Sequence, residues 1–565
     1  MRLRSLVHLS SLALLSATLA SAADRKPRIA IFSGPTATIQ NSRPLVTSNK
    51  ARLAAGLPPL NGADGQPVVD ELFMQRLAAP VTVYVEQFTA HPLESDVAEL
   101  YAAPDGFVAA DGSFSKTRRS PADKPVYAVT LKPEDGLYPL PYMARQTNGS
   151  AWDGVATERG APFEKSRQTF YPDASRIVEE IERLGGRIQE KADFDFFRPA
   201  PSGGYTKKNE KRGEDFYGYG PYNASPSRQH LARATNIVVA ATKDNGAGYD
   251  GFIWLEGSPS IEDTIYWLSL VIDTSKPLVG NSAQRARGLL SADGDANIVD
   301  SVGYITTHVW DDGSGKDRVG AVMIQDQQIF NAREVQKGDA RPGGYVTTGG
   351  FGGLVGTTDY FPRLTFLSVR KSTYRSDVRI TQIPASVETV TRGANGLTSV
   401  PFAVKDKDGN LLPAAIPYVT IAKSARWQTD NDTARDASSQ VEIVSRLEAL
   451  LSGPTVLAGF VGEGFAPYGS QVAPVEAALD RAVLSGFPVV QAPRGNATGF
   501  MAASDDNLRI ESGNLTSTKS RILLMACLLR FGALPPAKDP LKPTPAELSA
   551  IRNKLKLYQA VFDTH

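Results

Sequence analysis

Short apolar runs alternate with amphipathic stretches along much of the chain, a pattern that predicts strands alternating with helices. The clearest unit spans residues 250–297. A strand at 250–255 ends in the small polar loop 256–260, an apolar helix follows, and a second strand at 276–280 leads to another loop. Open α/β sheets bind ligands at the carboxyl ends of their strands. The hydroxyls of the 256–260 loop therefore mark a candidate site.

The same logic extends to both halves of the chain. A strand at 28–32 is followed by a loop that contains Thr36 and Thr38, and a strand at 81–85 is followed by a polar stretch that includes Asp96. In the second half, strands at 418–422, 455–459 and 487–491 alternate with helices at 440–451 and 472–484, and further helices begin near 518 and 544. This order predicts an α/β fold with a larger N-terminal and a smaller C-terminal α/β domain, built on mixed or parallel sheets.

Composition divides the chain further. Residues 104–227 are rich in Tyr, Pro, Gly and charge, so we expect mostly irregular structure there, with one helix that begins at Asp173. A mature chain of about 540 residues implies two or more domains. We predict an N-terminal domain at 23–379 with an insertion at about 97–230, a linker or insertion at 380–415, and a C-terminal domain at 416–565.

The N-terminus has the pattern of a secretory signal. Arg2 and Arg4 precede an apolar run, and small residues occupy 20–22, which predicts a signal peptide at 1–22 and a periplasmic or secreted protein. No other run reaches the roughly 18 apolar residues that span a bilayer. Cys527 is the only cysteine and lies in an apolar helical pattern, so we interpret it as a packed helix residue.

Charge and motif content indicate a small-molecule ligand. The chain has 61 basic and 60 acidic residues, a balance that gives no sign of a nucleic-acid or membrane partner. The histidines lack metal-ligand spacing, so neither a metal nor a cofactor is expected. Asp293 and Asp295 are interpreted as turn and cap carboxylates rather than acid/base catalysts.

Several short motifs occur in a fixed order along the chain. They are Asp-Gly-Phe at 250–252, Glu-Gly-Ser-Pro-Ser at 256–260, Glu-Asp-Thr at 262–264, Ser-Lys-Pro-Leu-Val at 275–279, Ser-Ala-Asp-Gly-Asp-Ala-Asn at 291–297, Ala-Arg-Glu-Val-Gln-Lys at 332–337 and Ser-Gly-Asn-Leu at 512–515. Their order resembles that of the bacterial L-asparaginase/glutaminase family. The resemblance implies the two-domain asparaginase-like fold, amide hydrolysis by a threonine hydroxyl, and assembly into dimers or tetramers.

The resemblance also implies site residues. The nucleophile is Thr38, or Thr36 if a one-residue insertion is allowed for. Ser258 takes the place of a second threonine and Lys337 that of the family lysine. Glu256, Gly257, Ser260 and Asp96 are the candidate substrate-binding residues.

Three positions depart from the family pattern. Pro259 replaces an aspartate, Lys50 stands where a mobile-loop tyrosine is expected, and Phe465 stands where an amide side chain is expected. Proline cannot hold a substrate ammonium. Two hypotheses follow: an exported amidohydrolase whose substrate is a side-chain or small-molecule carboxamide other than free asparagine, or a non-catalytic binding protein with the same fold. Release of ammonia from an amide distinguishes them.

Overall fold

The structure of the protein is a computed structural model. The residues that it describes are 27–33, 46–47, 49, 59, 61, 65–67, 73–74, 80–85, 103–110, 113–135, 137–139, 144–145, 170–172, 193–197, 227–246, 248–258, 260–284, 293–339, 343–348, 353–359, 361–427, 429–431, 433–466, 468–494 and 508–565. The predicted signal peptide and the predicted helix at Asp173 lie outside these residues.

An eight-stranded sheet organises the first half of the described chain. Its strands are β1 (Arg28–Ser33), β2 (Asp193–Phe197), β3 (Gly251–Leu255), β4 (Leu278–Asn281), β5 (Val322–Gln325), β6 (Gln328–Asn331), β7 (Leu354–Thr357) and β8 (Arg363–Leu364). They lie in the order β2-β1-β3-β4-β5-β6-β7-β8. The first five strands in this order are parallel to one another. The predicted α/β class is confirmed.

The central strands are apolar because the sheet is covered on both faces. Every residue of β3 and β4 is buried, which is the pattern of parallel strands enclosed by helices. The helices of this half are α1 (Arg228–Gly246), α2 (Ile261–Val271) and α3 (Gly294–Thr306). Helix α2 follows directly from the loop after β3, as the sequence predicted.

The far edge of this sheet is antiparallel, so the sheet is mixed, which is one of the two arrangements that the sequence predicted. Strands β5 and β6 form a hairpin, and β7 and β8 extend it. The hairpin turn consists of Asp326 and Gln327, whose φ angles are 49° and 61°. Two residues with positive φ form the tight turn whose twist matches that of antiparallel strands. This local turn reverses the chain without a crossover helix.

The second half of the chain forms a smaller parallel sheet. Its strands, in both sequence and spatial order, are β9 (Tyr418–Lys423), β10 (Ala458–Gly464), β11 (Val489–Pro493) and β12 (Ile510–Glu511). The helices are α4 (Val441–Ser452), α5 (Ala473–Leu484), α6 (Ser517–Phe531) and α7 (Pro545–Phe562). Cys527 is buried within α6, as predicted.

The strand predicted at 455–459 is misplaced, because β10 runs through a glycine-rich segment that resembles a loop. A Cβ on Gly462 would lie 2.3 Å from Gln471 Nε2, and one on Gly464 would lie 1.9 Å from the carbonyl oxygen of Gly469. Glycine is required here because neighbouring groups approach the strand more closely than a side chain allows.

The predicted insertion and linker contain more regular structure than expected. Strand β2 comes from the insertion and adds to the main sheet beside β1. A five-stranded antiparallel sheet includes Lys124–Leu131, which pairs with Val81–Val85. Within the predicted linker, Ser386–Gly393 and Gly396–Ala403 form a hairpin. The prediction of mostly irregular structure at 104–227 is therefore wrong for these described strands.

The two halves share a buried junction. Helix α6 of the second half packs on α2 of the first, and Arg333 donates a hydrogen bond of 2.7 Å from Nη2 to Asn514 Oδ1. Apolar side chains from both halves belong to one continuous core. Among the described residues, no helix combines the length and the apolar character needed to cross a membrane.

Candidate active site

The loop after β3 places Ser258 at the carboxyl-end edge of the main sheet. A short hairpin, in which Val335–Lys337 pairs with Tyr345–Thr347, lies against this loop. Lys337 Nζ donates a hydrogen bond of 2.8 Å to Ser258 Oγ. The structure thus brings together two residues that are 79 positions apart in sequence and that the sequence marked as site residues.

Tyr345 is a further residue at this site that the sequence did not single out. It lies directly opposite Lys337 in the hairpin register. Its hydroxyl donates a hydrogen bond of 3.0 Å to the carbonyl oxygen of Ser258, and burial raises the pKa of the phenol above its usual value. Tyr345 therefore stays neutral and fixes the backbone that carries the Ser258 hydroxyl. The Gly343-Gly344 pair just before it was the available signal for a hairpin.

Glu262, in the first turn of α2, anchors the strand that carries Lys337. Its carboxylate accepts a hydrogen bond from the backbone N–H of Lys337. Burial raises the pKa of Glu262, while that hydrogen bond and the charge of Lys519 oppose the rise. This contact joins the start of α2 to the hairpin, so the positions of Ser258 and Lys337 are set by one connected group of residues.

Lys519 extends this group into the second half of the chain. Its side chain is buried, and Nζ donates hydrogen bonds of 2.6 Å to the carbonyl oxygen of Glu262 and 3.0 Å to that of Ala332. Burial lowers the pKa of Lys519 to about 8. Because Ala332 precedes the hairpin and Glu262 holds it, Lys519 bridges both elements that support Lys337.

Glu256, Gly257 and Ser260 stabilise the loop itself. The Glu256 carboxylate is buried and accepts hydrogen bonds of 2.8 Å from Trp254 Nε1 and 3.0 Å from Ser260 Oγ. The Gly257 carbonyl accepts backbone hydrogen bonds from Ser260 and Ile261 at the start of α2. These residues hold the loop in place, and Glu256 is directed to Trp254 and Ser260. Their predicted role in substrate binding stays a prediction.

The remaining sequence candidates divide into two sets. Thr36, Thr38, Asp96, Pro259 and Lys50 lie outside the described residues. Phe465, by contrast, is described, and the guanidinium carbons of Arg426 and Arg494 lie 5.2 and 5.7 Å from its ring centre.

Asp293 has the contacts of a structural carboxylate. It accepts the backbone N–H of Gln284 at 3.0 and 3.1 Å and a hydrogen bond from the Gln325 side-chain amide. It also immediately precedes α3. These contacts agree with a turn and cap position. Within the described part of the chain, no group of three or more His, Cys, Asp or Glu side chains is arranged to hold a metal ion.

Comparison with known proteins identifies this segment. The family model described as "Asparaginase, N-terminal" matches residues 222–355, a segment that contains Ser258, Glu262, Lys337 and Tyr345. Residues 222–355 are therefore similar to the N-terminal part of the asparaginase family. This match covers the main-sheet strands β3 to β6 together with helices α1 to α3, and it agrees with the α/β fold described above.

Individual relatives match this chain over limited lengths. The chain is 31% identical to a glutaminase-asparaginase of Acinetobacter glutaminasificans over 155 residues, which are 27% of this chain and 43% of the relative. It is 33% identical to an L-asparaginase of Bacillus licheniformis over 109 residues, 19% of this chain and 31% of the relative. It is 31% identical to a probable periplasmic L-asparaginase of Haemophilus influenzae over 107 residues, 19% and 27% of the two chains. The matches span less than half of each of these relatives.

A solved structure is also similar. A probable cytoplasmic L-asparaginase from Campylobacter jejuni aligns with a TM-score of 0.45 and 18% identity, covering 69% of this chain and 94% of that one.

Proposed function

We propose that the protein is an exported amidohydrolase of asparaginase type. The contact between Lys337 Nζ and Ser258 Oγ carries the proposal, because a lysine and a hydroxyl meet at the carboxyl-end edge of a parallel sheet inside the matched family segment. A hydroxyl is a weak nucleophile and needs such neighbours to handle its proton.

In the proposed reaction a threonine hydroxyl, Thr38 or Thr36, attacks the carbonyl carbon of a carboxamide. Its proton passes to the departing nitrogen, the C–N bond breaks, and ammonia leaves. Water then hydrolyses the resulting ester to the free acid and restores the hydroxyl. Ser258 and Lys337 supply a proton path beside this centre, since Lys337 donates to the Ser258 oxygen and leaves the hydroxyl proton for a further acceptor.

The substrate is proposed to lack a free α-ammonium group. Pro259 provides no carboxylate for such a group, and the Glu256 carboxylate is hydrogen-bonded to Trp254 and Ser260. A carboxamide with a blocked amine, such as an asparaginyl residue within a peptide, meets this requirement. Asp96, Gly257 and Ser260 remain proposed contacts for it, and a homo-oligomer remains a proposed assembly.

Export is part of the proposal. The signal-like pattern at 1–22 supports it, and one relative, from Haemophilus influenzae, is named as periplasmic. Cell fractionation with an antibody to the chain tests it directly, because a cleaved protein in the periplasm or medium is expected and an uncleaved cytoplasmic protein contradicts it.

Ammonia release tests the catalytic proposal. The purified protein is assayed with L-asparagine, L-glutamine, N-acetyl-L-asparagine and a short asparagine-containing peptide. We expect turnover of the blocked amides to exceed that of free asparagine. Ser258→Ala and Lys337→Met should each lower kcat/KM by about 10²- to 10⁴-fold. Loss of ammonia release in Thr36→Ala or in Thr38→Ala identifies the nucleophile.

Two exposed positions provide matched controls. Ser399→Ala and Lys407→Met make the same chemical changes on the surface of the second half, and they should leave kcat/KM unchanged. If no substrate gives ammonia while the wild-type protein is folded, catalysis is refuted.

A non-catalytic binding protein is the second candidate. Pro259 favours it, and so does Phe465, which stands where an amide side chain is expected and whose ring contacts Arg426 and Arg494. This candidate predicts that amides raise the Tm without releasing ammonia. Turnover that disappears in Ser258→Ala eliminates it.

A further inference from the structure

A cavity of about 240 Å³ is lined in part by the loop that carries Ser258. Side chains from α1, α2 and α6 also line it, so both halves of the chain contribute to its wall. Glu256 and Ser260 line it, whereas Ser258 and Lys337 do not. The contact between Ser258 and Lys337 is therefore not part of the cavity wall.

The cavity contains an acidic group without a hydrogen-bond partner. Asp263, in the first turn of α2, lines the cavity, and its buried Oδ1 atom has no hydrogen-bond partner among the described residues. Burying a carboxylate oxygen without a hydrogen-bond partner destabilises the folded state. A ligand that donates a hydrogen bond or carries a positive charge would remove this cost.

An arginine from the opposite half lines the same cavity. The Nε–H of Arg521 donates a hydrogen bond of 3.2 Å to the carbonyl oxygen of Val419. Within the described part of the chain, Arg521 forms no ion pair with Asp263. Burial raises the pKa of Asp263, and the charges of Lys519 and then Arg521 oppose that rise. The terminal guanidinium nitrogens of Arg521 therefore have capacity for an anionic group.

The rest of the wall is largely apolar. Trp254 and Trp267 contribute from the first half, and Ile522 and Met525 contribute from α6. An apolar protein cavity of about 150 Å³ is large enough for benzene. The larger cavity here can hold a molecule of roughly ten non-hydrogen atoms by the same comparison.

We propose that this cavity binds a small zwitterion with an apolar group. The ammonium binds Asp263, the carboxylate binds Arg521, and the apolar group lies against the tryptophans and α6. Among the described residues, the cavity lining carries two acidic side chains, Glu256 and Asp263, and two basic ones, Arg228 and Arg521. Its formal charge is balanced, so a ligand that is itself neutral overall but carries both charges is complementary.

Arg228 has a different role from Arg521. It donates a hydrogen bond to the carbonyl oxygen of Ile416, and its guanidinium carbon lies 3.4 Å from the ring centre of Tyr418. These contacts hold the Arg228 guanidinium against Ile416 and Tyr418, which leaves Arg521 as the group for a ligand carboxylate. The proposed site is therefore assembled only when α2 and α6 are packed together.

Calorimetry with three matched probes tests the proposal on the full-length mature protein. L-leucine carries both charges, 3-methylbutylamine lacks the carboxylate, and 4-methylpentanoate lacks the ammonium. We expect one molecule of L-leucine to bind per chain, and each single-charge probe to bind at least about tenfold more weakly, since each loses a charged hydrogen bond.

Variants locate the binding. Asp263→Asn and Arg521→Gln should each weaken L-leucine binding by at least about tenfold. Asp263→Asn keeps the side-chain shape, and a Tm close to that of the wild type shows that the variant is folded. Lys337→Met alters the separate Ser258 contact and should bind L-leucine as the wild type does.

Any one of the following results would overturn the proposal: L-leucine fails to bind, Asp263→Asn leaves the affinity for L-leucine unchanged, or 3-methylbutylamine binds as tightly as L-leucine. Loss of leucine binding in a folded Lys337→Met protein also counts against it, because binding would then belong to the candidate active site. These readouts need no catalytic activity, so they remain informative if the amidohydrolase proposal fails.

Discussion

Replacing Lys519 by methionine should change how the stability of the protein depends on pH. The lysine side chain is fully buried and bonds two carbonyl groups of the first half. Its ionisable neighbours are Glu262, Asp263, Arg333 and Glu334. Burial outweighs the acidic neighbours and lowers the pKa from 10.5 to about 8.

The magnitude follows from this difference in pKa. Below pH 8 the lysine is protonated in both the folded and the unfolded states, so it adds no pH dependence. Above pH 8 the folded protein loses the proton while the unfolded chain, with a pKa near 10.5, retains it. Unfolding then takes up a proton, and stability rises with pH. The full gain is about 3 kcal/mol by pH 10.5.

Urea unfolding of wild type and Lys519→Met at pH 7 to 10.5 measures this effect. At pH 7 the variant lacks two hydrogen bonds of the wild type, but it also avoids the cost of burying a charge. The two proteins should therefore differ little in their free energies of unfolding at this pH. The difference in the free energy of unfolding should then widen toward about 3 kcal/mol as the pH rises. Lys407→Met is the control, because that exposed lysine should show no widening. A constant difference between Lys519→Met and wild type over the whole range would refute the argument.

Two further changes test other parts of the fold. Asp317 is fully buried, and burial raises its pKa to about 7, whereas its ordinary value is 3.8. The contribution of Asp317 to wild-type stability should therefore fall as pH rises from 4 to 7. Asp317→Asn should gain about 4 kcal/mol relative to wild type over that range in urea unfolding. Gly464→Ala should lower the free energy of unfolding by about 3 kcal/mol, since its Cβ would lie 1.9 Å from a backbone oxygen. Gly393→Ala, where the nearest atom is 3.7 Å away, should change it by less than about 0.5 kcal/mol.

The elements that could be predicted from the sequence are those encoded by local pattern. The unit β3, loop and α2 was visible because a run of buried residues, a polar loop and an acidic helix start follow one another directly. Helices α4 and α5 were visible for the same reason. Strand β10 was placed too early because Gly462 and Gly464, which permit close approach of neighbouring groups, also have the composition of a loop.

The parts of the site that could not be predicted depend on contacts between distant segments. Ser258 and Lys337 were identified by resemblance, but Tyr345 was missed because its position depends on the register of a hairpin. Glu262 was visible as an acidic residue at a helix start. Its bond to the Lys337 backbone depends on how the hairpin packs on α2, and no local pattern records that packing.

The contacts of Lys519 connect the junction between the two halves to the candidate catalytic pair. Lys519 bonds the Glu262 carbonyl, the Glu262 carboxylate bonds the Lys337 backbone, and Lys337 bonds Ser258. Asp263, the next residue along α2, lines the proposed zwitterion cavity. A ligand there would bind both α2 and α6, and it would therefore hold in place the two helices that contribute Glu262 and Lys519. Helices α2 and α6 therefore contribute both to the cavity wall and to the residues that support the candidate active site.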